Sequence, residues 1–187
     1  MAHDRRRIGS RSALSLVEVA AILSVIGMLL AVAIPTLARS LRASKVSEAS
    51  EQLDHLYRSI AAYYATARPD ANGNDSFCLP DAAGPAPILP APTPVAVDFA
   101  APATPGAATW SALGFTPKMP LRYRYTLVVP SPGCRQAAAP HPNRLVLRAE
   151  GDLDADGVYS TFERRADVLP HGELSPDPVL HIEDRIE

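Results

Sequence analysis

An apolar run near the N-terminus, from Leu14 to Ala38, constrains the fold of this chain more than any other feature. It reads LSLVEVAAILSVIGMLLAVAIPTLA and is interrupted by a single charged residue, Glu18. Because an α-helix rises about 1.5 Å per residue and a hydrocarbon core is roughly 30 Å thick, this run can span a bilayer as a helix. A carboxylate inside such a helix costs roughly 2.5 kcal/mol or more, so we expect Glu18 to have a function.

The residues on either side of the apolar run differ in charge, and this difference predicts the orientation of the chain. Residues 1–13 hold arginine at positions 5, 6, 7 and 11 and a single carboxylate, Asp4. The positive-inside rule keeps this basic leader in the cytoplasm, so residues 39–187 form an extracytoplasmic domain beyond a transmembrane segment, 14–38. A cleaved secretory signal peptide is the competing interpretation, but the apolar run exceeds the usual length of about 7–15 residues.

The boundary between leader and apolar run resembles the processing site of type IV pilins and pseudopilins. In ALSLVE, from Ala13 to Glu18, a short basic leader precedes a hydrophobic helix whose fifth residue after the cut is glutamate. The resemblance implies that a prepilin peptidase cuts after Ala13, that Leu14 becomes a methylated N-terminus, and that Glu18 acts in assembly. Gly27 and Pro35 also fall where such helices often carry these residues. The chain departs from the family pattern around the cut, where Gly and then Phe are usual.

This resemblance implies a structural subunit that polymerises through its N-terminal helix. It is equally compatible with a type IV filament and with the pseudopilus of a type II secretion system. The implied partners are other pilin or pseudopilin subunits, the inner membrane, prepilin peptidase and the filament assembly machinery. The implied location is the inner membrane, with a single pass and a cytoplasmic N-terminus, followed by a periplasmic or cell-surface filament.

The alternative from another functional class is a single-pass, calcium-binding surface protein that never polymerises. An enzyme is not expected, because the sequence contains no Gly-rich phosphate loop and no G-x-S-x-G or H-E-x-x-H motif. The main domain also lacks a basic stretch of the kind that binds nucleic acid, so no such partner is expected.

Beyond the apolar run the helical period continues and becomes amphipathic. Apolar positions recur at i, i+3, i+4 and i+7 intervals, and charged positions fall on the other side. The apolar set is Leu53, Leu56, Tyr57, Ile60, Tyr63, Tyr64 and Ala67, and the charged set is Lys45, Glu48, Glu51, Asp54 and Arg58. We therefore predict one helix of about 50 residues, with its first half in the membrane and its second half as the spine of the domain.

The second half of the chain alternates in the way that predicts β-strands. RYRYTLVV, NRLVLRAEG and VYSTFERRA each place apolar residues on one face, and VLHIEDRIE is a candidate edge strand. The predicted fold is therefore α+β, with the long N-terminal helix packed against a small antiparallel sheet, as in pilins. The Pro-rich segment between Cys78 and Trp110 is predicted to be an extended loop, with a ligand for a peptide-binding domain as the alternative.

The two cysteines, Cys78 and Cys134, lie on either side of that Pro-rich segment. A pair of cysteines favours a disulfide outside the cytoplasm, whereas free thiols are commoner in the cytosol. Since the predicted topology places the domain outside, we predict a disulfide. It would close a loop of about 55 residues and contribute roughly 4 kcal/mol in the chain-entropy description.

An acidic stretch, DLDADGVYSTFE at residues 152–163, matches the pattern D-x-[DN]-x-[DN]-G-x5-E of twelve-residue calcium loops. A structural Ca²⁺ ion is therefore the expected cofactor. The flanking residues are predicted to be strands, so this loop would lack the helices that usually surround it. A plain Asp-rich β-turn is the alternative. The predicted ligands are the carbonyl of Val158 and the side chains of Asp152, Asp154, Asp156, Ser160 and Glu163.

Overall fold

The computed structural model of this chain describes residues 15–134 and 143–184. The chain divides into two compact units, Met1–Leu41 and Arg42–Glu187. The first element is helix α1, Leu16–Ala65, which is 50 residues long and confirms the predicted helix.

In the N-terminal unit, α1 is apolar and exposed. The segment Leu16–Leu37 is long and apolar enough to cross a membrane, and none of it is buried by the protein. The helix continues through Pro35, which lacks an N–H. The Thr36 hydroxyl donates to the carbonyls of Val32 and Ala33 at 3.1 and 2.9 Å in the preceding turn.

In the C-terminal unit, α1 is amphipathic and buries the predicted stripe. The fully buried members are Ala49, Leu53, Leu56, Ile60 and Tyr64, and Tyr57 and Tyr63 pack partly against the same cluster. The helix ends earlier than predicted, because Ala67 is exposed and begins a strand. Its end has a local cause, since Pro69 disfavours helical backbone at the residue before it and Arg68 donates to the carbonyls of Tyr63 and Thr66.

The strands form a hairpin and a larger antiparallel sheet. The hairpin is β1 with β2, and the larger sheet has the order β3-β4-β5-β6-β7, with β8 also paired to β6. The bounds are β1 Ala67–Pro69, β2 Asp75–Phe77, β3 Ala83–Ala86, β4 Arg124–Val128, β5 Arg144–Gly151, β6 Ser160–Val168, β7 Leu174–Pro176 and β8 His181–Glu183. The predicted strands are all present, and His181–Glu183 supplies the expected edge strand.

The inner face of this sheet carries the apolar residues that the alternating sequence pattern predicted to lie on one face. One row across the sheet joins Tyr125, Ala149 and Phe162, all fully buried. These residues belong to one hydrophobic cluster with the buried side chains of α1. The predicted α+β class, a long helix against an antiparallel sheet, is therefore confirmed.

The Pro-rich segment is more ordered than an extended loop. It contains β3 and a short helix α2, Ala107–Leu113, between Gly106 and Gly114, whose φ angles of 78° and 63° suit glycine. The expectation of a loop without regular structure was wrong here, because seven residues are too few to reveal a helical period. Trp110 anchors the segment, since its ring is fully buried and its Nε1 donates to the Pro105 carbonyl at 2.9 Å.

Glu48 corrects the predicted polar face of α1. Its carboxylate does not face away from the sheet but accepts hydrogen bonds from the backbone N–H groups of Arg122 and Tyr123 at 2.7 and 3.3 Å. It also pairs with the Arg122 guanidinium at 3.3 Å, and only 14% of its side chain is exposed. Glu48 therefore attaches α1 to the chain just before β4.

Removing this attachment should lower stability. Glu48→Ala leaves two backbone donors without their acceptor and Arg122 without its carboxylate, so we expect a loss of about 1–3 kcal/mol in the free energy of unfolding. Thermal unfolding of the full chain in detergent micelles measures it. The control is Glu51→Ala on the same helix, since Glu51 is exposed and should change stability by less than about 0.5 kcal/mol. Equal losses from both variants would contradict this role for Glu48.

Candidate functional site

The start of α1 is held by a reciprocal pair of hydrogen bonds. The Ser15 Oγ accepts from the Glu18 N–H at 3.3 Å, and the Glu18 Oε2 accepts from the Ser15 N–H at 2.7 Å. This is a capping box, which satisfies two donors that a helix start otherwise leaves unpaired. The S-x-x-E spacing in the sequence signals this cap, although the resemblance to pilins had drawn attention to Glu18 alone.

The capping box holds the Glu18 carboxylate against the backbone N–H of Ser15, the residue that follows Leu14. Ala13 and Leu14, the predicted processing pair, lie outside the residues that the structure describes. The positive end of the helix dipole stabilises a carboxylate at this position. Glu18 thus has a structural role within its own helix, and assembly through it stays a prediction.

The predicted disulfide between Cys78 and Cys134 is present. Beside it, Leu79 and Gly133 exchange two backbone hydrogen bonds of 3.0 Å each. The cross-link therefore joins the segment after β2 to the segment after β4.

The acidic stretch forms the connection between β5 and β6. It brings together the carboxylates of Asp152, Asp154 and Asp156, whose ligand atoms all lie within 4.8 Å of one another. Asp152 Oδ2 accepts from the Gly157 N–H at 3.2 Å, and Asp156 Oδ1 accepts from the Val158 N–H at 2.7 Å. The other oxygen of Asp152, Oδ1, is buried and has no hydrogen-bond partner in the described ranges 15–134 and 143–184.

The two side chains predicted as ligands later in the stretch have other partners. Ser160 is fully buried, and its Oγ donates to the Gly151 carbonyl at 3.2 Å. Glu163 accepts from Arg148 and Arg165, each at 2.7 Å. Because β6 is extended and rises about 3.3 Å per residue, it carries Glu163 away from the loop. A helix in place of β6 would have kept Glu163 closer to the three aspartates.

Glu163 is accordingly an ion-pair residue of the outer sheet face. Burial alone would raise the pKa of this carboxyl, but the hydrogen bonds and positive charges of Arg165 and Arg148 outweigh burial and lower the pKa below its usual value. The lowered pKa keeps Glu163 ionised, and its oxygens are already engaged.

If Ca²⁺ binds this loop, only three of the predicted side-chain ligands are gathered to receive it. The three aspartates supply hard oxygen ligands of the right kind, but Ca²⁺ takes about six to eight, so carbonyl groups or water would have to complete the shell. Calcium binding stays a prediction from the twelve-residue pattern.

Comparisons with known proteins give no match, since no protein-family model fits the sequence and no curated protein or solved structure is significantly similar to it. Function is therefore inferred from the residues and the geometry described above.

If the loop binds Ca²⁺, the ion should stabilise the folded chain. Three carboxylates in one loop repel each other without a cation, and an ion that binds only the folded state adds about 2.7 kcal/mol at a hundredfold excess over its Kd. Thermal unfolding of the full chain in detergent, in calcium and then in chelator, measures this difference. Asp154→Ala should abolish the response and Glu163→Gln should keep it. A midpoint that does not respond to calcium would reduce the loop to an acidic turn.

Proposed function

We propose that this chain is a pilin-like structural subunit that polymerises through α1, in a type IV filament or in the pseudopilus of a type II secretion system. The observation that supports the proposal best is the composition of α1. The helix contributes an exposed segment of membrane length, Leu16–Leu37, and also the buried spine of an α+β domain. A subunit that is stored in a membrane and then packed by its helices in a filament needs both parts.

The surface of the apolar segment suits helix association. Small side chains follow one another at helical spacing, at Ala20, Ser24 and Gly27, and all are exposed. The Ser24 hydroxyl donates to the Ala20 carbonyl at 2.9 Å, so it needs no partner from another helix. Small residues at i, i+4 and i+7 let helices approach closely, and close packing drives association in lipid.

Glu18 distinguishes polymerisation from simple anchoring. In a monomeric anchor the carboxylate can do no more than cap its own helix, whereas in a bundle the new amino group of a neighbouring subunit's Leu14 can also offset its charge. Because the capping box uses Oε2, and Oε1 has no hydrogen bond within the described part of the chain, Oε1 can accept from that amino group. The pair would fix the axial register between subunits.

The remaining parts of the proposal follow from topology. The basic leader, residues 1–13, keeps the N-terminus in the cytoplasm, where prepilin peptidase would cut after Ala13. Residues 39–187 would lie in the periplasm or on the cell surface, in contact with other subunits and the assembly machinery. The second candidate function is a calcium-binding surface protein that does not polymerise, which rests on the match of residues 152–163 to the calcium-loop pattern.

Two substitutions of Glu18 separate its charge from its capping role. Glu18→Gln keeps a side chain that can complete a capping box, but it removes the charge, whereas Glu18→Ala removes both. We expect both variants to insert in the membrane and to be processed, and both to fall about tenfold or more in the sheared filament fraction, because the charge sets the register. The measurement compares that fraction with the processed protein in membranes. Incorporation of Glu18→Gln at the wild-type level would reduce Glu18 to a helix cap.

A further inference from the structure

Among the arginines of the domain whose side chains the structure describes, two differ from the others by having no carboxylate partner. Arg58 is exposed and makes no hydrogen bond or ion pair among the residues that the structure describes. Arg68 donates to the Tyr63 and Thr66 carbonyls and lies over the Tyr63 ring at 3.7 Å, but it meets no acidic group there. The remaining arginines described after residue 46 each pair with a carboxylate, and these are Arg122, Arg124, Arg144, Arg148, Arg164 and Arg165.

Arg58 and Arg68 line the same groove between α1 and α2. The groove has a volume of about 460 Å³, and its other lining residues are His55, Ser59, Ala62, Tyr63, Ala112 and Leu113. No acidic side chain is among these lining residues. The groove therefore combines uncompensated positive charge with hydroxyl groups and a small apolar floor. Guanidinium groups bind carboxylates through paired hydrogen bonds, so an acidic segment is the ligand that fits.

The loop between β5 and β6 is the complementary surface. Asp152, Asp154 and Asp156 gather their carboxylates within 4.8 Å of one another, and the ion pairs found among the described residues include none of them. Asp154 and Asp156 are exposed. The loop thus presents an unusual density of negative charge with no cation beside it.

Groove and loop lie at different positions along α1. The loop begins after Gly151, whose Cα lies so close to the Tyr123 ring that a Cβ there would stand 2.5 Å from it. The Tyr123 N–H in turn bonds to Glu48, near the start of the domain part of α1. The groove lies farther along the helix, between His55 and Arg68. From Glu48 to Arg58 the helix rises roughly 15 Å, which separates the groove from the loop of the same subunit.

We propose that the groove receives the Asp152–Asp156 loop of a second copy of this chain, with Arg58 opposite Asp154. Because two different surfaces meet, the contact is heterologous, and in a filament it repeats from copy to copy as an open array rather than closing into a ring. The inference rests on the proposed function and names the domain surfaces that meet in the filament. Calcium would bind the same carboxylates and neutralise part of their charge. The contact is therefore tested in the presence of a chelator, so that the loop keeps its full negative charge.

A zero-length cross-link tests the contact directly. In the full chain in membranes, Arg58→Lys places a reactive amine in the groove, and carbodiimide joins it to a carboxylate only in direct contact. Mass spectrometry of the covalent dimer should find this amine linked to the Asp152–Asp156 peptide, and Asp154→Asn should lower the yield severalfold. The control is Lys118, an exposed lysine outside the groove, which should link to that peptide at less than a tenth of the yield. A dimer without the groove-to-loop link would overturn the proposal.

A charge swap separates this proposal from the proposed function. Arg58→Asp and Asp154→Arg should each lower the amount of protein in sheared filaments about tenfold, and the double variant should restore it. Both positions are exposed, so in chelator, where calcium does not contribute, neither variant should unfold at a lower temperature than the wild type. Filaments that form equally well with either single variant would overturn the contact and leave the proposed function intact. Absence of the wild-type chain from filaments would instead overturn the proposed function, while the cross-link in membranes would still report on the contact.

Discussion

The packing of one face of α1 against the inner face of the sheet is the interaction on which the rest of the domain depends. Side chains from Ala49 to Tyr64 enter the same hydrophobic cluster as the buried residues of β4, β5 and β6. Each fully buried large apolar side chain contributes roughly 1.5–3 kcal/mol, so this seam is the largest favourable contribution available to a domain of this size. The sheet has no other helix as long as α1 to cover it.

Polar contacts fix the position of α1 along that seam. Glu48 bonds to the backbone before β4, and the hydroxyls of Tyr57 and Tyr64 donate to the carbonyls of Leu174 and Leu169 at 3.3 and 2.9 Å. Gly172, between those two carbonyls, lies against the Phe77 ring where no side chain would fit. The segment from β6 to β7 is therefore held on the helix, and β6 is held in turn at the edge that β7 and β8 cover.

Charged side chains are paired on the outer face of the sheet, but not in the groove or in the β5–β6 loop. On the outer sheet face, arginines meet carboxylates across neighbouring strands, as in the pairs Arg124 with Glu150 and Arg144 with Asp167. In the groove beside α2, Arg58 stays unpaired, and in the β5–β6 loop three aspartates stay unpaired. Solvated pairs of opposite sign contribute little to binding another protein, whereas separated and unpaired charges can direct it. Polymerisation would use the second kind of surface.

Periodicity predicted the parts of the fold that repeat. Helix α1 and strands β4, β5 and β6 each bury one face. The helical and the alternating pattern of apolar residues that result can both be recognised in one sequence without an alignment. The predictions failed where one contact decides. Glu48 occupies a polar position on the helix, yet it points inward to accept hydrogen bonds from two backbone N–H groups just before β4. Glu163 satisfies a spacing rule, yet an extended strand carries it to Arg148 and Arg165. The seven residues of α2 are too short to show a period.

The central claim is that the membrane segment and the domain spine are one helix in the mature protein, and the N-terminal residue of that protein tests it most directly. N-terminal sequencing and mass measurement of the protein from membranes should find methylated Leu14 as the first residue, so that α1 is kept whole. A first residue near Arg39 would contradict the account, because signal-peptide cleavage there would remove Leu16–Leu37 and leave a domain with no helix through which to polymerise.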